Sequence, residues 1–246
     1  MTKYRRFGTT LSSLVLAVTM AAPAPSFAGA KDTGTFDIYI RGIRAAALTF
    51  NGAEANGRYA AAGKLQAAGI VGLLFKVEYD AASKGRVHGG AYVPSRYSEV
   101  ANTGKRQSES VMEYKSGVPQ VKTYKPAREV RVGDVKPASQ KGTIDPMTAI
   151  YAALRDVPKD QICALNVKMF DGARRSQIKF SNPVAEDEGF VCDAEYRRLK
   201  GFTAAELAER SKFPFKVKYV PLESGDYRVT KVTMETLYGS AVMNRR

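Results

Sequence analysis

Phe36-Asp37-Ile38-Tyr39-Ile40-Arg41-Gly42-Ile43-Arg44-Ala45-Ala46-Ala47-Leu48-Thr49-Phe50 is the stretch whose pattern decides the fold. Phe36, Ile38 and Ile40 take turns with Asp37, Tyr39 and Arg41, the two-residue period of a strand with one face buried. Beyond Gly42, residues Ala46, Leu48 and Phe50 keep that period, on a face that the glycine allows to switch. Asn51-Gly52 and Asn56-Gly57 are both hairpin dipeptides, so the chain is expected to reverse between them. Tyr59, Ala61, Gly63, Leu65 and Ala67 then predict a strand with small residues on one face. Such a face suits a sharply curved sheet, or one against which a helix packs closely.

The alternation continues outward from there. Residues 70–79 read as the next strand, and Ser83-Lys84-Gly85 as a turn into a strand at 86–92. Segments 108–114 and 120–124 form a hairpin about Lys115-Ser116-Gly117, followed by an irregular connector from Pro126 to Gly142. Asp145 is placed to cap a helix entered at Pro146, whose apolar residues Met147, Ile150, Tyr151 and Leu154 recur at i, i+3, i+4 and i+7. A second helix is signalled by the capping box Thr203-Ala204-Ala205-Glu206, with Phe202 and Leu207 spaced as a hydrophobic staple. Around the helices, residues 163–169, 173–180, 190–199, 213–220 and 227–237 read as strands. About ten strands and two short helices make the class mainly β, a strongly curved antiparallel sheet or partly open β-barrel.

The N-terminus carries an address. Lys3, Arg5 and Arg6 precede an apolar stretch at 11–22 that is too short to span a bilayer. Pro23 and Pro25 follow, and Ser26-Phe27-Ala28 presents the small residues of a cleavage site. Residues 1–28 are therefore expected to be a signal peptide cut after Ala28. That leaves one β-rich domain at 29–246, periplasmic and without a transmembrane segment. In that oxidising space the only two cysteines, Cys163 and Cys192, are expected to form one disulfide, their spacing being unlike a C-x-x-C redox pair. The formal net charge is +14, with three of the cations in the leader. A basic surface attracts acidic lipid headgroups or acidic polysaccharide, and export argues against nucleic acid as the partner. Positive charge also keeps an exported protein in solution with no partner at all.

Four segments carry a likeness: residues 90–97 (Gly-Ala-Tyr-Val-Pro-Ser-Arg-Tyr), 142–149 (Gly-Thr-Ile-Asp-Pro-Met-Thr-Ala), Phe170-Asp171-Gly172-Ala173-Arg174, and Cys192-x-x-x-Tyr196-Arg197-x-x-x-Gly201. Together they resemble the proteobacterial periplasmic family called domain of unknown function 3108. The resemblance implies an architecture similar to the periplasmic lipoprotein-localisation factors, a curved antiparallel sheet wrapped around helical plugs. It implies no activity and supplies no catalytic residue.

No catalytic set emerges from the residues themselves. His88 is the sole histidine and stands beside Gly89-Gly90 without a motif, so a zinc site with several histidines is excluded. Ser176-x-x-Lys179 has a catalytic spacing that works on a helix but points to opposite faces of a strand. Glu186-Asp187-Glu188 lacks the spaced ligands and glycine of a calcium loop and reads as a solvated turn. No glycine-rich phosphate loop precedes a helix. Neither a metal nor a cofactor is expected. The expected function is non-enzymatic: binding a lipid, a lipoprotein-like ligand or another hydrophobic or anionic envelope component in a β-barrel cavity. Met147, Ile150, Tyr151 and Leu154 would plug that barrel. Two alternatives remain open, a scaffold for another envelope protein with a filled barrel, and a hydrolase of envelope polymers near His88. Alternation assigns a face to each residue but no volume behind it, so hollow and filled barrels read alike.

Overall fold

The computed structural model describes residues 30–131, 133–237 and 239–246; the leader expected at 1–28 lies outside them. The chain runs out through one meander and back through another. β1 (Ala30–Ile40), β2 (Ile43–Ala55) and β3 (Arg58–Ala67) are successive antiparallel neighbours. β2 runs straight through Asn51-Gly52, which pair with Ala62 and Ala61. Only Asn56-Gly57 turns, with φ of 52° and 68°. Gly52 pairs with Ala61 in the ladder, and the Tyr151 ring occupies the space that a side chain there would need.

Residues 70–79 are not one strand. A short helix, α1 (Gly69–Leu74), comes first, and β4 (Glu78–His88) follows. The run Ile70-Val71-Gly72-Leu73-Leu74-Phe75 is continuously apolar, so it carries no period-two signal to hold it in a sheet. Gly69, at φ 60°, turns the chain off the sheet, and Phe75 N–H then closes the helix on Val71 O at 2.8 Å. Ser83-Lys84-Gly85 likewise lies inside β4, where the Ser83 hydroxyl is engaged in buried hydrogen bonds. The reversal falls at Gly89-Gly90, before β5 (Ala91–Asn102). β6 (Gln107–Lys115) and β7 (Val118–Lys125) form the hairpin about Ser116-Gly117.

After the connector come α2 (Pro146–Leu154), β8 (Asn166–Phe170), β9 (Arg175–Glu186) and β10 (Gly189–Lys200). Next are α3 (Ala204–Glu209), β11 (Lys212–Pro221), β12 (Tyr227–Thr236) and β13 (Gly239–Arg245). The α3 capping box is complete: Glu206 N–H donates to Thr203 Oγ1 at 3.1 Å, and Thr203 N–H to the Glu206 carboxylate at 2.8 Å.

The thirteen strands of the described residues form one antiparallel sheet, in the order β7-β6-β5-β4-β3-β2-β1-β13-β12-β11-β10-β9-β8. β13, which has no place in the sequence reading, pairs with β1 and joins the two meanders. The edges β7 and β8 do not pair with each other, so the sheet is curved but not closed. The connector covers the seam. Ile144 bridges to Met169 of β8, and Gly142 N–H donates to Gly117 O in the β6–β7 turn at 3.1 Å. The mainly β, partly open class with one disulfide therefore stands, with thirteen strands and three α-helices among the described residues. Phe36, Phe50, Tyr59, Tyr97 and Met112 from one meander and Phe170, Cys192, Val217 and Val229 from the other are buried about Met147 and Tyr151 of α2. No helix among the described residues is long and apolar enough to cross a membrane.

Candidate functional site

The concave face owes its shape to how α2 is seated. Pro146 opens the helix and Asp145 caps it, Oδ1 accepting from Thr148 N–H at 2.9 Å. Asp145 Oδ2 accepts from the hydroxyls of Thr148 (2.7 Å) and Ser83 (2.8 Å). With the Thr148 proton given to Asp145, Tyr59 OH donates to Thr148 Oγ1 at 2.7 Å. These bonds tie the start of α2 to β3 and β4. Asp145 is fully buried and forms no ion pair among the described residues, and burial raises its carboxyl above the usual range while the hydrogen bonds oppose the rise. Met147 meets β3 at Gly63 and Tyr151 meets β2 at Gly52, two positions where a side chain would push the helix away.

The far end of α2 is held by charged groups. Tyr151 OH donates to Asp32 Oδ2 at 3.0 Å, and Asp156 N–H to Asp32 Oδ1 at 3.0 Å. Arg228 grips the Asp156 carboxylate through Nε (2.9 Å) and Nη2 (2.7 Å). Arg155 stands 3.6 Å from Glu54, which also accepts from Tyr92 OH, and donates to Gln161 Oε1 at 2.8 Å. Burial raises the Asp32 carboxyl despite its two donors. A cleft of about 690 Å³ opens beyond this cluster, between the Gly89-Gly90 turn and segment 157–168, with mixed polar walls.

At the opposite end α2 leaves part of the concave face uncovered. A groove of about 300 Å³ runs between Met147 and Ile150 of the helix and Ile38, Leu48, Leu65 and Tyr79 of the sheet. The single carboxylate in its wall among the described residues is Glu99, which accepts from Tyr97 OH at 2.6 Å. Burial and the adjacent Glu99 push the Tyr97 hydroxyl well above its ordinary range. Chemically the groove presents mainly apolar side chains, with the Glu99 carboxylate and the tyrosines Tyr79 and Tyr97 among them.

Of the residues picked from sequence, Met147, Tyr151 and Leu154 are buried and Ile150 is half-buried at the groove. Cys163 and Cys192 are joined, with Cα atoms 5.5 Å apart, which fastens the segment before β8 to β10. His88 is exposed at the end of β4, remote from the groove. Ser176 is buried and Lys179 exposed, on opposite faces of β9. Glu186-Asp187-Glu188 is the β9–β10 turn, near Lys218. Among the described residues no three His, Cys, Asp or Glu stand together to hold a metal. The hydroxyl network of Tyr59, Ser83 and Thr148 and the Glu54–Arg155 cluster have no sequence signal, because their members meet only across strands.

A family model described as a protein of unknown function (DUF3108) matches residues 35–190. The chain belongs to DUF3108. The segments at 90–97, 142–149 and 170–174 fall inside the match, and the one from Cys192 lies beyond it. No curated protein matches the chain. Among solved structures, this DUF3108 protein is similar to a "Beta-barrel-like Protein of Domain of Unknown Function DUF1849 from Brucella abortus". The two share 12% identity at a TM-score of 0.51, over 88% of this chain and 95% of that one. At that identity the likeness is one of fold.

Proposed function

We propose that this protein is an exported, periplasmic, non-enzymatic envelope protein that binds an acyl chain, or a similarly slim apolar group, in the groove beside α2. The groove of about 300 Å³ carries the proposal: it is apolar, lies on the concave face and sits at the small end of ligand-pocket sizes. The leader-like sequence at 1–28 and the Cys163–Cys192 disulfide support an oxidising compartment outside the cytoplasm. A scaffold that binds another envelope protein is the second reading. It is favoured by the full burial of Phe36, Tyr59, Met147 and Tyr151, large side chains that occupy the interior around α2.

Titration of the purified protein with palmitate, followed by calorimetry, separates the two. Saturable binding is expected, weakened about tenfold (about 1.4 kcal/mol) by Ile150→Trp, which fills the groove. No heat with palmitate or with a single-chain phospholipid would sink the acyl-chain reading and leave the scaffold.

A further inference from the structure

Val93, Val100, Val130, Val184, Leu207 and Leu237 are exposed at separate places on strands, loops and α3, but α1 is different. Ile70, Leu73, Leu74 and Phe75 are 68%, 86%, 71% and 60% exposed, and no residue of the helix is buried. Ile43, also exposed, lies next to Arg44, whose carbonyl the start of α1 packs against at Gly69. The helix is fastened rather than frayed. Ala68 N–H donates to Ala45 O at 2.9 Å, and Ala67 N–H to Val77 O at 2.8 Å. A fixed cluster of this kind marks a surface that something covers.

The charge around it identifies what. Residues 68–77 contain no acid and end with Lys76 and Val77. The β5–β6 loop packs Gly104 against the Lys76 carbonyl and adds Lys105 and Arg106, both exposed. The Arg106 guanidinium is steadied over the Tyr124 ring at 5.3 Å. Glu78, the nearest acid in sequence, is paired with Lys64. An apolar tip flanked by cations is complementary to an anionic bilayer: the side chains enter the boundary of the acyl region while the cations remain among the headgroups. From this we infer that α1, with Lys76, Lys105 and Arg106, docks the protein reversibly on an anionic lipid surface. Leu65 and Tyr79, which line the groove, belong to the strand ends on either side of α1, so docking brings that end of the groove to the lipid. The inference does not require the groove to be occupied.

Flotation of the purified protein with vesicles tests it. The protein should float with phosphatidylglycerol–phosphatidylcholine vesicles and not with phosphatidylcholine alone, and added salt should weaken the binding. Leu73→Ser combined with Leu74→Ser should cut vesicle binding about tenfold or more, and Lys76→Glu with Lys105→Glu should weaken it on anionic vesicles. All four side chains are exposed, and unchanged thermal melting of each variant would establish that its fold is intact. Wild-type protein that floats with neither vesicle, or a serine variant that floats as well as wild type, overturns the inference. So does self-association that the serine variant abolishes in a protein that binds no vesicle, since the covering surface is then a second copy. Flotation without palmitate binding keeps this inference and removes the groove reading; palmitate binding without flotation does the reverse.

Discussion

Gly52 sets the depth at which α2 sits. A Cβ at this position would stand 2.3 Å from Tyr151 Cε2, and the ring cannot swing aside freely, because its hydroxyl is bonded to Asp32 and Tyr92 meets it edge-on at 6.0 Å. Gly52→Ala is therefore expected to cost about 1–3 kcal/mol, despite the better strand propensity of alanine. It should appear as a lower urea midpoint at unchanged slope. Gly63→Ala should cost less, because the nearest atom, at 2.9 Å, is the sulfur of a flexible methionine, with the Thr49 carbonyl farther off at 3.1 Å. Equal midpoints for Gly52→Ala and wild type would mean that the ring is not pinned. Of the two glycines, only Gly63 announces its role in sequence, in the small-residue face Ala61-x-Gly63. Gly52 follows an asparagine and so imitates a hairpin turn. What requires a glycine there is a ring ninety-nine positions away in the chain.

At the scale of elements, α2 and α1 mark opposite limits of legibility. α2 is announced twice, by the Asp145-Pro146 entry and by the spacing of Met147, Ile150, Tyr151 and Leu154, and both signals are local. In α1 the apolar residues run without a break, so no period distinguishes helix from strand, and its solvent exposure contradicts what its composition suggests. The disulfide works at this scale too. It fixes the segment before β8, where Cys163 adopts φ 58°, to the buried Cys192 of β10. Replacing both cysteines with alanine should lower stability by about 3–4 kcal/mol on the chain-entropy estimate for a loop of this length. Urea unfolding of the variant beside the oxidised wild type measures that loss. An unchanged midpoint would show that the neighbouring strands already restrain the segment.

For the whole molecule, the joint between β1 and β13 makes one sheet of two meanders. Asp37 sits there, accepting from Arg246 at 2.8 and 2.9 Å and from Arg44 at 2.7 Å. The Arg246 hydrogen bonds, with help from Arg44, hold its carboxyl down to about 2 from an ordinary 3.8. A carboxylate whose pKa is lower folded than unfolded contributes stability above the unfolded value, and loses it as pH falls through the folded one. Part of the acid lability should therefore fall between pH 3.8 and about 2, and Asp37→Asn should flatten stability against pH in that window. Acid titrations of both proteins by circular dichroism check this, and parallel curves would remove Asp37 from the account. The mainly β class and the seated helix with its cap were determined by sequence alone, because they rest on periods and caps that neighbours within a few residues encode, and the resemblance to DUF3108 was carried by four short segments. Tertiary structure alone decided the β1–β13 joint, the open seam under the connector, the groove left beside α2 and the exposure of α1. Alternation says which face of a strand is apolar, whereas register, closure and leftover volume arise from packing between residues far apart in the chain.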